Sequence, residues 1–427
     1  MKKLITIFFC AFNTYLAFAN ITLDECQLLA HDNYPQLKQY GLIDRITEYT
    51  VSNVAKGYLP QVGASAQASW QNAVPAFPDK MKSIYAQMEI EMTGLNKDQY
   101  KVAIDVNQSI WDGGIINNQK KIAKAEGLVS KANLDVELYA LRERINNLYF
   151  GILLLDANCL QNDELQAILQ SNCNKVQACI DNGIAQQSDI ESIRVELLSA
   201  RQLRTQLNAT LQSYRKMLSI FINKDIITDT LISPNSEPIN TDTDNIHPHL
   251  ALFNAQRNQL SAQKLSINSS VMPRLGAFAQ GFYGNPGFNM FDDMINNRWT
   301  FNFLVGVKIQ WSISGLYTKK NSINKIDLSK QRIDAQEETF IFNNNLEATQ
   351  QEYEISRIKN VMKDDDEIIA LRKSIRTTSE AKLHNGVIDI NDLIRDITAE
   401  NQAKLARLVH ETELLKTTYD LKHILNK

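Results

Sequence analysis

The chain has 427 residues, with 45 lysines and arginines against 48 aspartates and glutamates, and the net charge of -3 disfavours a nucleic-acid binder. With 44% hydrophobic and 22% charged residues, the composition is that of a folded protein rather than a disordered one. Only 16 glycines and 9 prolines punctuate it, too few for a sandwich or propeller of many short strands, so long helices are expected.

The opening residues set the compartment. Lys2 and Lys3 precede an apolar run from Leu4 to Phe18 that closes on Ala17-Phe18-Ala19, the small-x-small pattern a signal peptidase cleaves. Residues 1–19 are therefore predicted to be a signal peptide, and loss of its two lysines takes the charge from -3 to -5. Cys10 sits inside the run behind Phe8 and Phe9, not behind small residues at its end, so the exported chain is expected to be unlipidated. Of the other cysteines, Cys26, Cys159, Cys173 and Cys179 match no zinc spacing. On a continuous helix Cys173 and Cys179 would point about 240° apart, so all four read as small apolar residues on helix faces. No later run reaches the ~18 apolar residues of a membrane-spanning helix; if this chain crosses a bilayer, it does so as strands.

Val62, Ala64, Ala66, Ala68 and Trp70 alternate with Gln61, Gly63, Ser65, Gln67 and Ser69, which predicts a strand at about 58–72. A second, at about 99–113, sets Val102, Ile104 and Val106 against Lys101, Asp105 and Asn107. From 115 to 181 there is no proline and the apolar residues step by three and four, as in Ile122, Ala125, Val129 and Ala132. That segment can run as one helix ~100 Å long, more than a globular core requires. Asn182-Gly183 then suits a left-handed turn into a return helix from about Asp189 to Phe221. The segment 223–245, rich in Thr, Asp, Asn and Pro, reads as a linker. Strands follow at about 273–284 and 299–313, the first weakened by Phe278 and Phe282 on the face that should be polar. In the second, Phe301, Phe303, Val305, Val307 and Ile309 alternate with Asn302, Gly306, Lys308 and Gln310. A second long helix is predicted at 316–384, then Asn385-Gly386 and a return helix from Asp392.

The order is therefore duplicated. Tyr34-Pro35, Leu59-Pro60 and Gly63 recur at one offset as His247-Pro248, Met272-Pro273 and Gly276, and Asn182-Gly183 with Asp189 recurs as Asn385-Gly386 with Asp392. We divide the chain into a first unit at 20–222 and a second at 246–427. Four strands of roughly 10–13 residues have the length for a tilted bilayer crossing, and Trp70, Tyr283, Trp299 and Trp311 would suit interfacial girdles. Four strands cannot close into a barrel, and open edges in lipid leave backbone groups unpaired. Closure needs further chains: two give eight strands and a filled interior, three give twelve and room for a passage. Lys101, Asp105, Asn107, Asn302 and Lys308 would then face a wet lumen. A half-buried soluble sheet in a coiled-coil structural or adhesin-like exported protein is the alternative.

At this point the sequence resembles the TolC-like outer-membrane efflux proteins. The likeness is carried by Ile21-Thr22-Leu23-Asp24-Glu25-Cys26, Asn33-Tyr34-Pro35-Gln36-Leu37, Tyr58-Leu59-Pro60 and Trp111-Asp112-Gly113-Gly114, in that order and partly duplicated. It implies an α+β membrane protein of a Gram-negative bacterium: a homotrimer whose twelve-stranded β-barrel sits in outer-membrane lipid and continues as a periplasmic α-helical barrel. It implies a passive exit duct for efflux or type I secretion, with a periplasmic adaptor and a proton-driven or ATP-driven inner-membrane pump as partners. It also implies acidic rings narrowing the tunnel tip. Asp392 falls at the first ring and Asp189 is its counterpart in the first copy, while the second-ring position holds Arg395 with Asp396 beside it, and Ile388 stands where the family often carries a basic residue. The plainer reading of Asp392 and Asp189 is that of first-turn acids favoured by the helix dipole.

Other signals were weaker. Asp364-Asp365-Asp366-Glu367 reads as a solvated face, with a cation site or adaptor contact as alternatives. His247-Pro248-His249 lacks a third nearby ligand for a metal, and Gly113-Gly114 lacks the Lys and Ser/Thr of a phosphate loop. With no HExxH, GxSxG or paired-cysteine motif, no catalysis, cofactor or metal is expected.

Overall fold

The computed structural model describes residues 20–89, 94–183, 185–227, 229–234 and 247–426. The predicted signal peptide lies outside the described residues, as does most of the predicted linker. In chain order the elements are β1 (Asn20–Ile21), α1 (Leu23–Asn33), α2 (Gln39–Ala55), β2 (Gln61–Trp70), α3 (Asp79–Ala86), β3 (Asp98–Trp111), α4 (Ile115–Asp181) and α5 (Gln187–Ile222). There follow β4 (Thr230–Leu231), α6 (Pro248–Ser270), β5 (Arg274–Asn285), α7 (Met290–Asn296), β6 (Thr300–Gln310), α8 (Gly315–His384) and α9 (Ile390–Ile424). The chain forms two compact units. One holds the described residues up to Lys38, Leu134–His249 and those from Glu338 onward; the other holds Gln39–Asn133 and Leu250–Glu337. Each draws on both sequence halves, so compactness cuts across the duplication.

In the unit that holds the strands, β2, β3, β5 and β6 form one antiparallel sheet in that order. The β3–β5 pairing joins the two halves of the chain. Its register aligns apolar rungs: Val62, Val106, Ala279 and Val305 in one, Ala64, Ile104, Gly281 and Phe303 in the next, Ala66, Val102, Tyr283 and Phe301 in a third. This face is uncovered, with Phe301 71%, Val307 72% and Ile309 76% exposed. Trp299 stacks on Tyr100 and lies 5.4 Å from the Tyr283 ring, at the end of the sheet that also carries Trp70. Two short helices that the sequence reading missed, α3 and α7, occupy the loops of the two hairpins.

The strand-to-helix corner after β3 depends on local chemistry. Asp112 caps α4, its carboxylate accepting from the backbone N–H groups of Gly114 (2.9 Å) and Ile116 (2.6 Å). Gly113 is left-handed at φ 70°, and a Cβ there would lie 2.6 Å from Cβ of Met272. Further along the helix, Gly127 lets α4 approach Thr47 of α2 closely. Lys131 pairs with Asp44 at 2.6 Å, and Lys264 of α6 pairs with Asp327 of α8 at 2.7 Å.

The helical unit is organised around two apolar clusters. One surrounds Tyr149, Phe150 and Ile145 and takes in the chain start through Ile21, Leu23 and Cys26. The Tyr149 hydroxyl donates toward the carbonyls of Ile21 and Ile232, 2.8 and 2.7 Å away, and so ties together the parallel pair β1–β4. That pair was not foreseen, and β4 lies inside the predicted linker. Arg215 fixes the same stretch: it pairs with Asp156 at 2.7 Å and donates to the carbonyls of Ile226, Ile227 and Asp229. The second cluster joins Leu169 and Val176 of α4 with Ile190, Ile193 and Leu197 of α5 and Ile390, Leu393 and Ile397 of α9. Both long helices end on left-handed glycines, Gly183 at φ 73° and Gly386 at φ 69°. After α8 the Schellman pattern is complete, Val387 N–H donating to Lys382 O and Gly386 N–H to Leu383 O.

Gly113→Ala combines the left-handed penalty with a backbone-adjacent clash and is expected to destabilise the protein by about 2–4 kcal/mol. Gly386→Ala, where nothing lies within 4 Å of the new methyl, costs only the conformational part, about 1 kcal/mol. Thermal unfolding midpoints of the two variants in detergent, compared side by side, check the ranking.

Candidate functional site

The strand face opposite the apolar rungs gathers the residues that alternation singled out. Lys101, Asp105, Asn107, Asn302 and Lys308 all lie on it, by register. They do not stand as free charges. The Lys101 ammonium donates to Oε1 of Gln280 (3.1 Å), whose amide in turn donates to Oδ1 of Asp105 (2.5 Å), and Lys308 donates to Oδ1 of Asn107 (3.0 Å). Asn302 donates to Thr300 and accepts from the backbone N–H of Phe288. Gln280 is the link that sequence reasoning missed, although its place in the alternation of β5 was the available signal. The two aberrant phenylalanines also find their reason here. Phe282 is buried beneath the Lys101 ammonium, 4.3 Å from ring centre to nitrogen, and Phe278 lies 5.8 Å from that of Lys308 while filling the space left by Gly306.

The second group sits at the start of the return helices in the helical unit. Asp189 is a capping-box acid: its carboxylate accepts from the Gln186 backbone N–H at 2.9 Å. The N-cap of α9 is Asp389, which accepts from the Asp392 N–H at 2.9 Å. The Asp392 carboxylate pairs instead with Arg395, one turn on, at 2.9 Å. Asp396 turns toward α8 and accepts from the Ser379 hydroxyl at 2.6 Å. The second apolar cluster holds the first turns of α5 and α9 in one packed group. Nearby, Glu400 is only 2% exposed and is held by Arg376 at 2.5 Å and Lys404 at 3.4 Å, with Lys404 reaching Glu164 at 3.1 Å. Removing one partner from so buried a pair typically costs about 3–5 kcal/mol. The sequence signal for Glu400 was its place on the three-four step of Ile390, Leu393 and Ile397, a charge at a position of the buried face.

The acidic run on α8 is not a uniformly solvated face. Asp365 is buried and meets His410 of α9 at 2.8 Å, and Asp366 meets Arg407 at 3.2 Å, while Asp364 and Glu367 are exposed. Tyr139, His247, His249, Phe340 and His423 come together around a pocket in the helical unit. Burial, helped by the neighbouring imidazoles, pushes His247 down to about 4 from an ordinary 6.5. Among the described residues no group of three His, Cys, Asp or Glu side chains has metal-holding geometry, and no helix is long and apolar enough to cross a membrane.

No family model and no curated protein matches this sequence. Solved structures do match it. The outer membrane protein VceC from Vibrio cholerae is 12% identical over 94% of this chain and 95% of its own, with a TM-score of 0.65. The outer-membrane channel OprN is 14% identical over 94% of this chain and 89% of its own, with a TM-score of 0.65. The MtrE outer membrane channel of Neisseria gonorrhoeae, in its open state, is 14% identical over 94% and 88%, with a TM-score of 0.61. The single chain therefore has the fold of these outer-membrane proteins, as its resemblance to the TolC-like proteins implied for one protomer.

Proposed function

We propose that this protein is a passive exit duct of the bacterial outer membrane. In this reading three copies join their sheets edge to edge into a twelve-stranded barrel, and the long helices form a tunnel in the periplasm. The observation that carries the reading is the sheet itself: one apolar, uncovered face and two edges, β2 and β6, without partners among the described residues. In lipid each unpaired backbone group costs several kcal/mol, so the edges require other copies. The likeness in fold to solved outer-membrane channels supports it. A periplasmic adaptor and an energised inner-membrane pump are the partners this architecture calls for, because no element here supplies energy. Cargo passes along the polar strand face, where Lys101 and Lys308, hydrogen-bonded to carboxamides, and Arg274 stand against Asp105 and present a wet wall of net positive charge.

The narrow end of the duct is assigned to the first turns of α5 and α9. There Asp392 contributes a carboxylate restrained by Arg395, and Asp396, tied to Ser379, supports the turn behind it. Three Asp392 carboxylates around one axis would repel one another and attract cations.

Val305→Arg places a charge on the lipid-facing side of β6 and is expected to cost about 2–4 kcal/mol at mid-membrane, removing the protein from the outer-membrane fraction. Asn107→Asp, on the opposite face, is expected to leave it there; equal recovery of both variants would refute the assignment of faces. Asp392→Asn is expected to raise single-channel conductance in planar bilayers or to weaken block by divalent cations, and no change in either would remove Asp392 from the aperture.

A further inference from the structure

The helical unit holds an open pocket of about 600 Å³, within the range of roughly 300–1,000 Å³ typical of small-molecule sites. Its wall is aromatic. The Tyr139 and His423 rings stack with centroids 4.3 Å apart, and His249 stacks on Phe340 at 4.7 Å. His247 bridges the two stacks, edge-on to Tyr139 at 4.8 Å and 5.0 Å from Phe340. These rings come from α4, the start of α6, α8 and α9, so the wall exists only in the folded unit.

Four carboxylates line the pocket, beside two carboxamides and three imidazoles. Glu137, Glu143 and Glu347 line it and enter no ion pair among the described residues. Asp420 accepts from Lys416 through Oδ2 at 2.7 Å, while its Oδ1 is buried without a partner among the described residues. The same holds for Nδ1 of His249 and Nδ1 of His423. Nδ1 of His247 accepts from the His249 backbone N–H at 3.2 Å. Burial holds all three imidazoles below their ordinary range, so they are neutral at pH 7 and add no positive charge. Two cations stand beside the pocket, Lys416 on Oδ2 of Asp420 and Arg142 at 5.8 Å from the Tyr139 ring centre, against four lining carboxylates. An unpaired buried acceptor is costly until a donor reaches it, and electron-rich ring faces attract cations.

We propose that this pocket binds a planar organic cation, an aromatic ring system bearing a positive nitrogen and N–H donors, which stacks against Phe340 and Tyr139 and is held by Asp420 and the acidic rim. The site lies within one unit of one chain and does not rest on the conduit reading.

The test is a fluorescence titration of the full-length protein in detergent at pH 7.5 with ethidium, with phenanthridine as the uncharged ring of similar shape. Saturation at one site per chain is expected, weakened ~10-fold or more by His249→Ala and by Asp420→Asn, with no displacement by equimolar phenanthridine. Should either variant fail to fold by circular dichroism, Glu347→Gln, on the exposed rim, is expected to weaken binding several-fold. Affinity unchanged in the folded variants, or phenanthridine competing as an equal, overturns the proposal.

Discussion

A β-strand in hydrocarbon has no water to satisfy its backbone, so each edge must be paired and each lipid-facing side chain must be apolar. The four-stranded sheet meets the second requirement within one chain; in the proposed assembly other copies meet the first. Its apolar face is built rung by rung across four strands that come from two distant parts of the sequence, and the β3–β5 pairing is what makes those parts one surface. Such a face on an ordinary soluble sheet would demand a covering layer. Here it is exposed, and aromatic side chains flank both ends of it, Tyr100, Tyr283 and Trp299 at one and Trp111 and Trp311 at the other. In the proposed assembly, ring closure between protomers accounts for face and edges together.

The opposite face follows from the same pleat. A barrel wall of bare lysines would bind anions tightly and slow their passage. The hydrogen-bonded series from Lys101 through Gln280 to Asp105, and the pairing of Lys308 with Asn107, hold both ammonium groups against the sheet. Phe278 and Phe282 support the lysine stems from below. In the helices, burial is concentrated rather than continuous. It gathers around Tyr149, where the start of the described chain is fastened, and around Leu393, where the return helices begin. Beside the second of these clusters the buried Glu400 network links α4, α8 and α9 through Arg376, Lys404 and Glu164.

The strands and long helices were legible because their signals are periodic and local. Alternation in 61–70 and 300–310 and the lack of proline after Ile115 set their limits closely, and the glycines of the two Asn-Gly pairs adopt the left-handed geometry that their residue type favours. What escaped depends on distant partners. The β1–β4 pair is two residues long and is held by distant partners, Tyr149, Arg215 and the apolar cluster around Ile21 and Leu231. The acids after the turns could be placed in sequence, but that Asp389 rather than Asp392 caps α9, and that Arg395 restrains Asp392, are facts of side-chain geometry. His423 lies far in sequence from His247 and His249, so the aromatic pocket was invisible until α9 returned beside α4.

Cryo-electron microscopy of the full-length protein extracted from outer membranes in mild detergent addresses the proposed assembly most directly. The account expects three-fold particles in which β6 of each subunit pairs with β2 of the next around an open lumen. Solitary subunits, or assemblies whose strand edges stay unpaired, would contradict it.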